Sequence, residues 1–297
     1  MKKKLILFLG FIAQLFNLSA QTNLPKSSNE HTASNSLLWR ISGKKITHPS
    51  YLFGTIHAIC NEDFFFTPKM DNALQSCQKL ILEIDLTSPS MIEEYQEHMM
   101  LPEGKELKNF FQSEEEYKTF VHDATKLLGM DIEPFTKLKP FLLLSMFAMK
   151  ADTCADQTSY EMTLVDKSKP LQMKVEGLET TTSQLEIFEK MSDADMRLML
   201  LESVKNDVVS NKEQEAMIRL YKAQNIDSLY NTIISSPEFK GHEDAMLFDR
   251  NKKWVPILEN SMHQNACFVA VGAGHLAGEK GVLELLRKKG YTVEAVR

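Results

Sequence analysis

Tyr51-Leu-Phe-Gly-Thr-Ile-His57 and Phe268-Val-Ala-Val-Gly-Ala-Gly-His275 are near-copies, each an apolar run entering Gly-x-x-His, with Gly54 in the first and Gly272 in the second. Short apolar runs rich in β-branched and aromatic residues read as buried strands, and a glycine at their end permits a sharp turn and close backbone approach. Such a turn sets the following imidazole at the carboxyl edge of the sheet, where open α/β sheets bind ligands. Because the two runs lie at opposite ends of the chain, a sheet holding both brings His57 and His275 to one edge.

Reading outward, Leu37 to Ser42 and Ser50 to Thr55 alternate as two strands around the polar turn Gly43-Lys-Lys-Ile-Thr-His-Pro49. Thr67-Pro68 opens a short helix through Cys77, with proline in the first turn. Lys79 to Leu86 (KLILEIDL) is a mostly apolar strand with Glu83 in its middle. From Ser90 the period lengthens to that of helices: one from Ser113, one over Leu138 to Met149, one over Ser159 to Lys167, and long amphipathic ones over Ser183 to Tyr230 and Glu243 to Met262. Leu171 to Leu178, Ala266 to Val271 and Tyr291 to Val296 return to strand patterning, with a helix over Glu279 to Lys289. The expected fold is α/β: a central mixed sheet built from the N- and C-terminal halves, with a helical insertion over about 88–262 inside one domain spanning 37–297.

The first twenty residues carry a cationic start (Lys2, Lys3, Lys4), an apolar run from Leu5 to Leu18 and Ser19-Ala20 before Gln21. That is the layout of a secretory signal, and the apolar run is short for a membrane span. Residues 21–36 read as a disordered linker. The protein is expected in the periplasm or secreted, and membrane contact enters only through a leader left uncleaved. Lys+Arg 34 against Asp+Glu 40 gives a net charge of −6, and loss of the three leader lysines takes it to −9. With no basic stretch after residue 4, nucleic acid is excluded as an expected partner. In an exported chain Cys60 and Cys154, both in loops, are the expected disulfide, while Cys77 and Cys267 read as buried thiols.

The chemistry-bearing residues are few. An ionised Glu83 in a buried strand is costly unless paired or metal-bound. His57 and His275 with Glu83 make a three-ligand set with an open position, as hydrolytic metal sites have; the competing reading is that Glu83 accepts backbone bonds or pairs with Arg250. Glu176-Gly-Leu-Glu179 follows a strand and offers a second carboxylate to the same edge. Gly272-Ala-Gly274-His-Leu-Ala277 fits a dinucleotide fingerprint, but only one helix and one strand follow it, too little for a nucleotide-binding half. There is no HExxH and no GxSxG. The remaining histidines fall in polar or helix-surface contexts. The 16 Met fall among Leu and Phe at helical spacing, as core filling does.

Leu38-Trp-Arg-Ile-Ser, the 51–57 run, the Glu83 strand, Gly177-Leu-Glu-Thr180 with Gln184, Asp249-Arg-Asn251 with Trp254, and Val271-Gly-Ala-Gly-His275 through Gly290-Tyr-Thr-Val293 together resemble the TraB/GumN family. That family includes the animal Tiki proteins and is similar in core to ChaN-like and erythromycin-esterase-like proteins. The resemblance implies an α/β fold whose site is two Gly-x-x-His motifs and a strand glutamate. From the Tiki proteins it implies a metal-dependent hydrolase acting on peptides or proteins with manganese or cobalt, zinc being the remaining option. Carried over, His57, Glu83 and His275 become metal ligands, with Glu83 either ligand or general base, and Arg250 and Asn251 their catalytic neighbours. The alternative is a non-catalytic protein using the same cleft to bind a peptide signal, a metal or haem. Oligomeric state is left open.

Overall fold

The computed structural model describes residues 35–151, 154, 156–205, 207–236 and 239–297; the signal and nearly all of the linker expected before them lie outside the described residues. The described residues form eight strands: β1 (Leu38–Ser42), β2 (Ser50–Thr55), β3 (Ile59–Cys60), β4 (Lys79–Ile84), β5 (Gln157–Thr158), β6 (Lys174–Glu179), β7 (Cys267–Gly272) and β8 (Thr292–Ala295). Six form one mixed sheet in the order β6-β4-β7-β2-β1-β8. β2, β7, β4 and β6 run parallel, while β1 is antiparallel to both β2 and β8. The expected α/β sheet completed from both ends of the chain is therefore present.

The parallel centre follows from burial on both faces. All six residues of β7 and the first five of β4 are buried, β7 as a continuous apolar run and β4 as an apolar run bounded by Lys79 and Glu83. Against the sheet lie α1 (Pro68–Gln75), capped by the Thr67 hydroxyl, α5 (Tyr160–Ser168), capped by Ser159, α10 (Asp249–Gln264) and α11 (Val282–Lys288). The insertion supplies α2 (Met91–Glu97), α3 (Glu114–Leu128), α4 (Pro140–Ala151), α6 (Thr181–Glu189), α7 (Asp193–Lys205), α8 (Asp207–Lys222) and α9 (Ile226–Ser235). A second apolar core, with Phe120, Phe141, Phe147 and Phe188 at its centre, holds most of these helices together.

Two expectations need correction. The long helix read over Ser183 to Tyr230 is interrupted twice among the described residues, before α7 and before α9. The side chains of Ser192 and Asn225 each accept from the backbone N–H three residues on, and Gln224 has a φ of +54°. These are helix starts and a left-handed stop that an unbroken amphipathic stripe conceals. The helix read from Glu243 opens instead as a π-helical turn, Asp244–Phe248, before α10.

β3 and β5, two residues each, were too short to show a period. They pair antiparallel, Ile59 opposite Thr158, and the expected Cys60–Cys154 disulfide closes beside them. Cys77 and Cys267 are free and buried, as expected. The bridge spans 94 residues of sequence, and a cross-link of that reach restricts the unfolded chain strongly. Replacing both Cys60 and Cys154 by Ser should lower unfolding stability by about 3 kcal/mol. Urea denaturation checks this, and the difference from wild type should vanish when both are measured in a thiol reductant.

Candidate functional site

Parallel pairing of β2 with β7 sets Thr55 opposite Gly272, so the two Gly-x-x-His turns leave the sheet side by side. Each glycine is needed for a different close approach. A Cβ on Gly54 would stand 2.6 Å from Leu276 Cδ1 and 3.2 Å from Ala273 Cα, in the turn that follows β7. One on Gly272 would stand 3.1 Å from His57 Nε2 and 3.4 Å from Glu83 Oε1, inside the site itself. β4 lies on the other side of β7, and Glu83 Oε1 accepts the Gly272 N–H at 2.8 Å. His275 Nε2 lies 3.8 Å from the same carboxylate oxygen.

Arg250, at the start of α10, ties this edge together. Its Nη2 donates to Glu83 Oε2 at 2.5 Å and its Nε to Glu179 Oε1 at 3.1 Å, Glu179 ending β6. Its Nη1 donates to the Met246 carbonyl at 2.9 Å, within the π-helical turn, and to His275 Nε2 at 3.1 Å. The Trp254 ring lies 4.7 Å beneath the guanidinium and 4.4 Å from the His275 ring, a cation–π and aromatic floor. Gln184 bridges Glu83 and Glu179, donating to both at 3.2 Å.

These bonds assign the tautomers. A guanidinium only donates, so His275 Nε2 carries a lone pair and its Nδ1–H donates to Asn251 Oδ1 at 2.6 Å. Asn251 is held in turn by donating its amide to the Lys280 carbonyl at 2.9 Å. His57 is tied by a carboxylate instead: its Nδ1 lies 2.9 Å from Glu161 Oε1, which also accepts from the Thr55 hydroxyl at 2.6 Å. Both rings thus use Nδ1 for anchorage.

The charge states differ accordingly. Burial, with Arg250 adding to it, pushes His275 down to about 3, so the ring is neutral. Burial also opposes charge on His57, but the Glu161 carboxylate outweighs it and the pKa is raised. Burial opposes ionisation of Glu83 too; Arg250, followed by the two histidines, overcomes it and holds the carboxyl far below the usual range. Glu179, the partner for which burial wins, is raised.

Of the residues singled out in the sequence, His57, Glu83, Arg250 and His275 share one pocket, and Asn251 stands behind His275 as its anchor. Two carboxylates of this cluster were missed or left undecided. Glu161 lies on a separate helix with only its Ser159-x-Glu spacing to mark it, and Glu179 read equally well as a helix-start acid. Among the described residues no three His, Cys, Asp or Glu side chains stand together as a metal-binding group. The guanidinium of Arg250 lies among the donors, and its bond to His275 Nε2 occupies the lone pair an ion would use.

The model of the TraB/PrgY/gumN family matches residues 37–295. The chain belongs to that family. Among its curated relatives, Metalloprotease TIKI2 of Danio rerio is 22% identical over 323 residues, covering 88% of this chain and 61% of that protein. Metalloprotease TIKI1 of Danio rerio is 24% identical, covering 92% and 65%, and the Metalloprotease TIKI homolog of Nematostella vectensis is 22% identical, covering 98% and 74%. The chain spans about three fifths of the length of the first of these. No solved structure matches it.

Two outcomes follow for this TraB-family site. Arg250→Met strands Glu83 and Glu179 as buried, unpaired acids, and should cost about 3–5 kcal/mol of unfolding stability, read by urea denaturation. His275, whose folded pKa lies below its unfolded 6.5, contributes stability that is present above pH 6.5 and is lost as pH falls; His57, raised, has the opposite sign. His275→Asn removes only the first. Compared with wild type, and with both stripped by chelator, the variant should hold about 1 kcal/mol more of its stability on going from pH 6.5 to 5.5.

Proposed function

We propose that this chain is an exported metal-dependent hydrolase acting on peptides or proteins, with a divalent ion, manganese or cobalt before zinc, held by His57 Nε2, His275 Nε2 and Glu83. One observation carries the reading: two imidazoles from opposite ends of the chain, each anchored through Nδ1, line one pocket with Glu83, His275 Nε2 lying 3.8 Å from its Oε1 and His57 Nε2 bordering the same space beside Gly272. Metal-binding histidines are anchored in this way, by a carboxylate or carbonyl on the other ring nitrogen. The charge inventory supports it. Glu83 and Glu179 share the Arg250 guanidinium and Glu161 pairs with His57, so with the three carboxylates ionised the cluster stays negative even when His57 is charged, and buried charge calls for a counter-ion. The neutral His275 is in the protonation state a ligand needs. The donor types therefore fit, on condition that Arg250 Nη1 gives up its bond to His275 Nε2 and keeps the one to Met246. The names of the curated relatives point the same way.

The bound ion supplies Lewis acidity, polarising a carbonyl and lowering the pKa of water. The protein's own groups do the rest. Arg250 holds one oxygen of Glu83 and leaves the other toward the pocket, where Glu83 serves as ligand or as base for an incoming water. Glu161 and Asn251 keep the rings from rotating, and Trp254 closes the floor under His275. The Cys60–Cys154 bridge supports export, since disulfides persist in oxidising compartments. The Arg250–His275 contact, with Glu161 drawing His57 toward its charged form, favours the alternative, a protein that binds a peptide in this cleft without cutting it.

Chelator-treated protein titrated calorimetrically with manganese and with cobalt should bind one ion per chain, and His57→Ala, His275→Ala and Gly272→Ala should each lose it. A peptide library incubated with either metal and read by mass spectrometry should show cleavage by wild type alone. Peptides left whole by a protein that does bind the ion would favour the binder, and no ion bound by wild type would sink the metal reading.

A further inference from the structure

The pocket that holds His57, Glu83, Arg250 and His275 does not end at those groups. Its inner half is walled by Met217 and Tyr221 of α8, Leu229 and Ile233 of α9, and Phe239 and Leu247, all contributed by the helical insertion and the turns that follow it. The hydroxyl of Tyr221, the one hydrogen-bonding side-chain group among these six, is used: it donates to the Gly54 carbonyl at 3.0 Å. Tyr221 thereby pegs α8 to the first Gly-x-x-His turn and offers the pocket only its ring. On the opposite side Gly274 lets α9 close down, for a Cβ there would stand 3.0 Å from Ile233 Cδ1. The pocket as a whole, polar end included, is open on one side and leaves about 50 Å³ for the centres of water-sized atoms. That is room for a few water molecules, so the apolar wall meets one side chain of a longer peptide rather than a run of them.

We infer that this inner half is a specificity subsite for a single mid-sized aliphatic side chain (Leu, Ile, Met or Val) of a peptide whose neighbouring carbonyl lies at His57, Glu83 and His275; the placement of that carbonyl rests on the hydrolase reading above. A charged or amide side chain laid against this wall would find no partner on it, at a steep cost. Glycine would leave the space unfilled and forgo the gain from removing apolar surface from water. Tryptophan would overfill it. Ile233, partly exposed and packed against both apolar cores, sets the depth.

Blocked hexapeptides Ala-Ala-X-Ala-Ala-Ala, with X as Gly, Asp, Leu or Phe, test this by calorimetric binding with and without manganese and, separately, by cleavage with manganese. The Leu peptide should bind at least tenfold more tightly than the Gly and Asp peptides. Ile233→Trp should abolish that preference, and Ile233→Ala should shift it toward Phe; thermal melting checks that each variant is folded, and the Ala variant carries the test alone if the Trp variant is not. Binding that fails to distinguish Leu from Gly, or is undetectable for all four at millimolar concentration, overturns the subsite. A Leu preference that Ile233 substitutions move, without any cleavage, leaves the subsite standing and defeats the hydrolase.

Discussion

A guanidinium buried between two carboxylates is the constraint on which the rest of this edge depends. Arg250 is 4% exposed and Glu83 7% exposed, and neither would be tolerated there alone. Their bond ties β4 to α10, and the Glu179 bond ties β6 to the same helix. Through Met246 and His275 the side chain also reaches the π-helical turn and the turn after β7. Four segments far apart in sequence are thus fixed by one side chain. Lysine could not replace it, because the five donors of a planar fork satisfy acceptors lying in several directions while an ammonium is a compact point charge.

The two Gly-x-x-His motifs are alike in sequence and unlike in electrostatics. His57 is backed by a carboxylate and drawn toward the charged form; His275 is backed by an amide and faced by a guanidinium, and is held neutral. The difference lies in partners that approach from elsewhere: α5 brings Glu161, and α10 brings both Asn251 and Arg250. The short β3–β5 ladder, with its disulfide, brings the start of α5 next to the residues after β2, which is what delivers Glu161 to His57. A motif repeated by the chain becomes two electrostatically distinct imidazoles through its surroundings.

Much of this was legible in the sequence because it depended on local pattern. Continuous apolar runs marked β2, β4 and β7, and glycine before each histidine marked the edge where they end. Glu83 stood out because a lone acid in such a run needs a partner, and Arg250 was one of the two partners anticipated. What stayed hidden was non-local. Nothing near Glu161 points to His57, which lies 104 residues earlier. Glu179, at a strand-to-helix junction, has a spacing that suits a helix start as well as an ion pair. The breaks before α7 and before α9 rest on single capping side chains, Ser192 and Asn225, within a helical stripe.

The division of labour between the layers follows from where polar contacts fall. The sheet edge is crowded with buried charge and with bonds that satisfy it, so most changes there leave a group unpaired and destabilise the fold. Where α8 and α9 meet the pocket, by contrast, the wall is apolar, and the Tyr221 hydroxyl tethers it by its bond to the Gly54 carbonyl. Volume-conserving or modest apolar changes in such a wall cost little as long as density is kept. The charge network can therefore stay constant while the insertion varies the shape of the cleft, with Leu86 and Ile233 packing against both cores where the two layers meet.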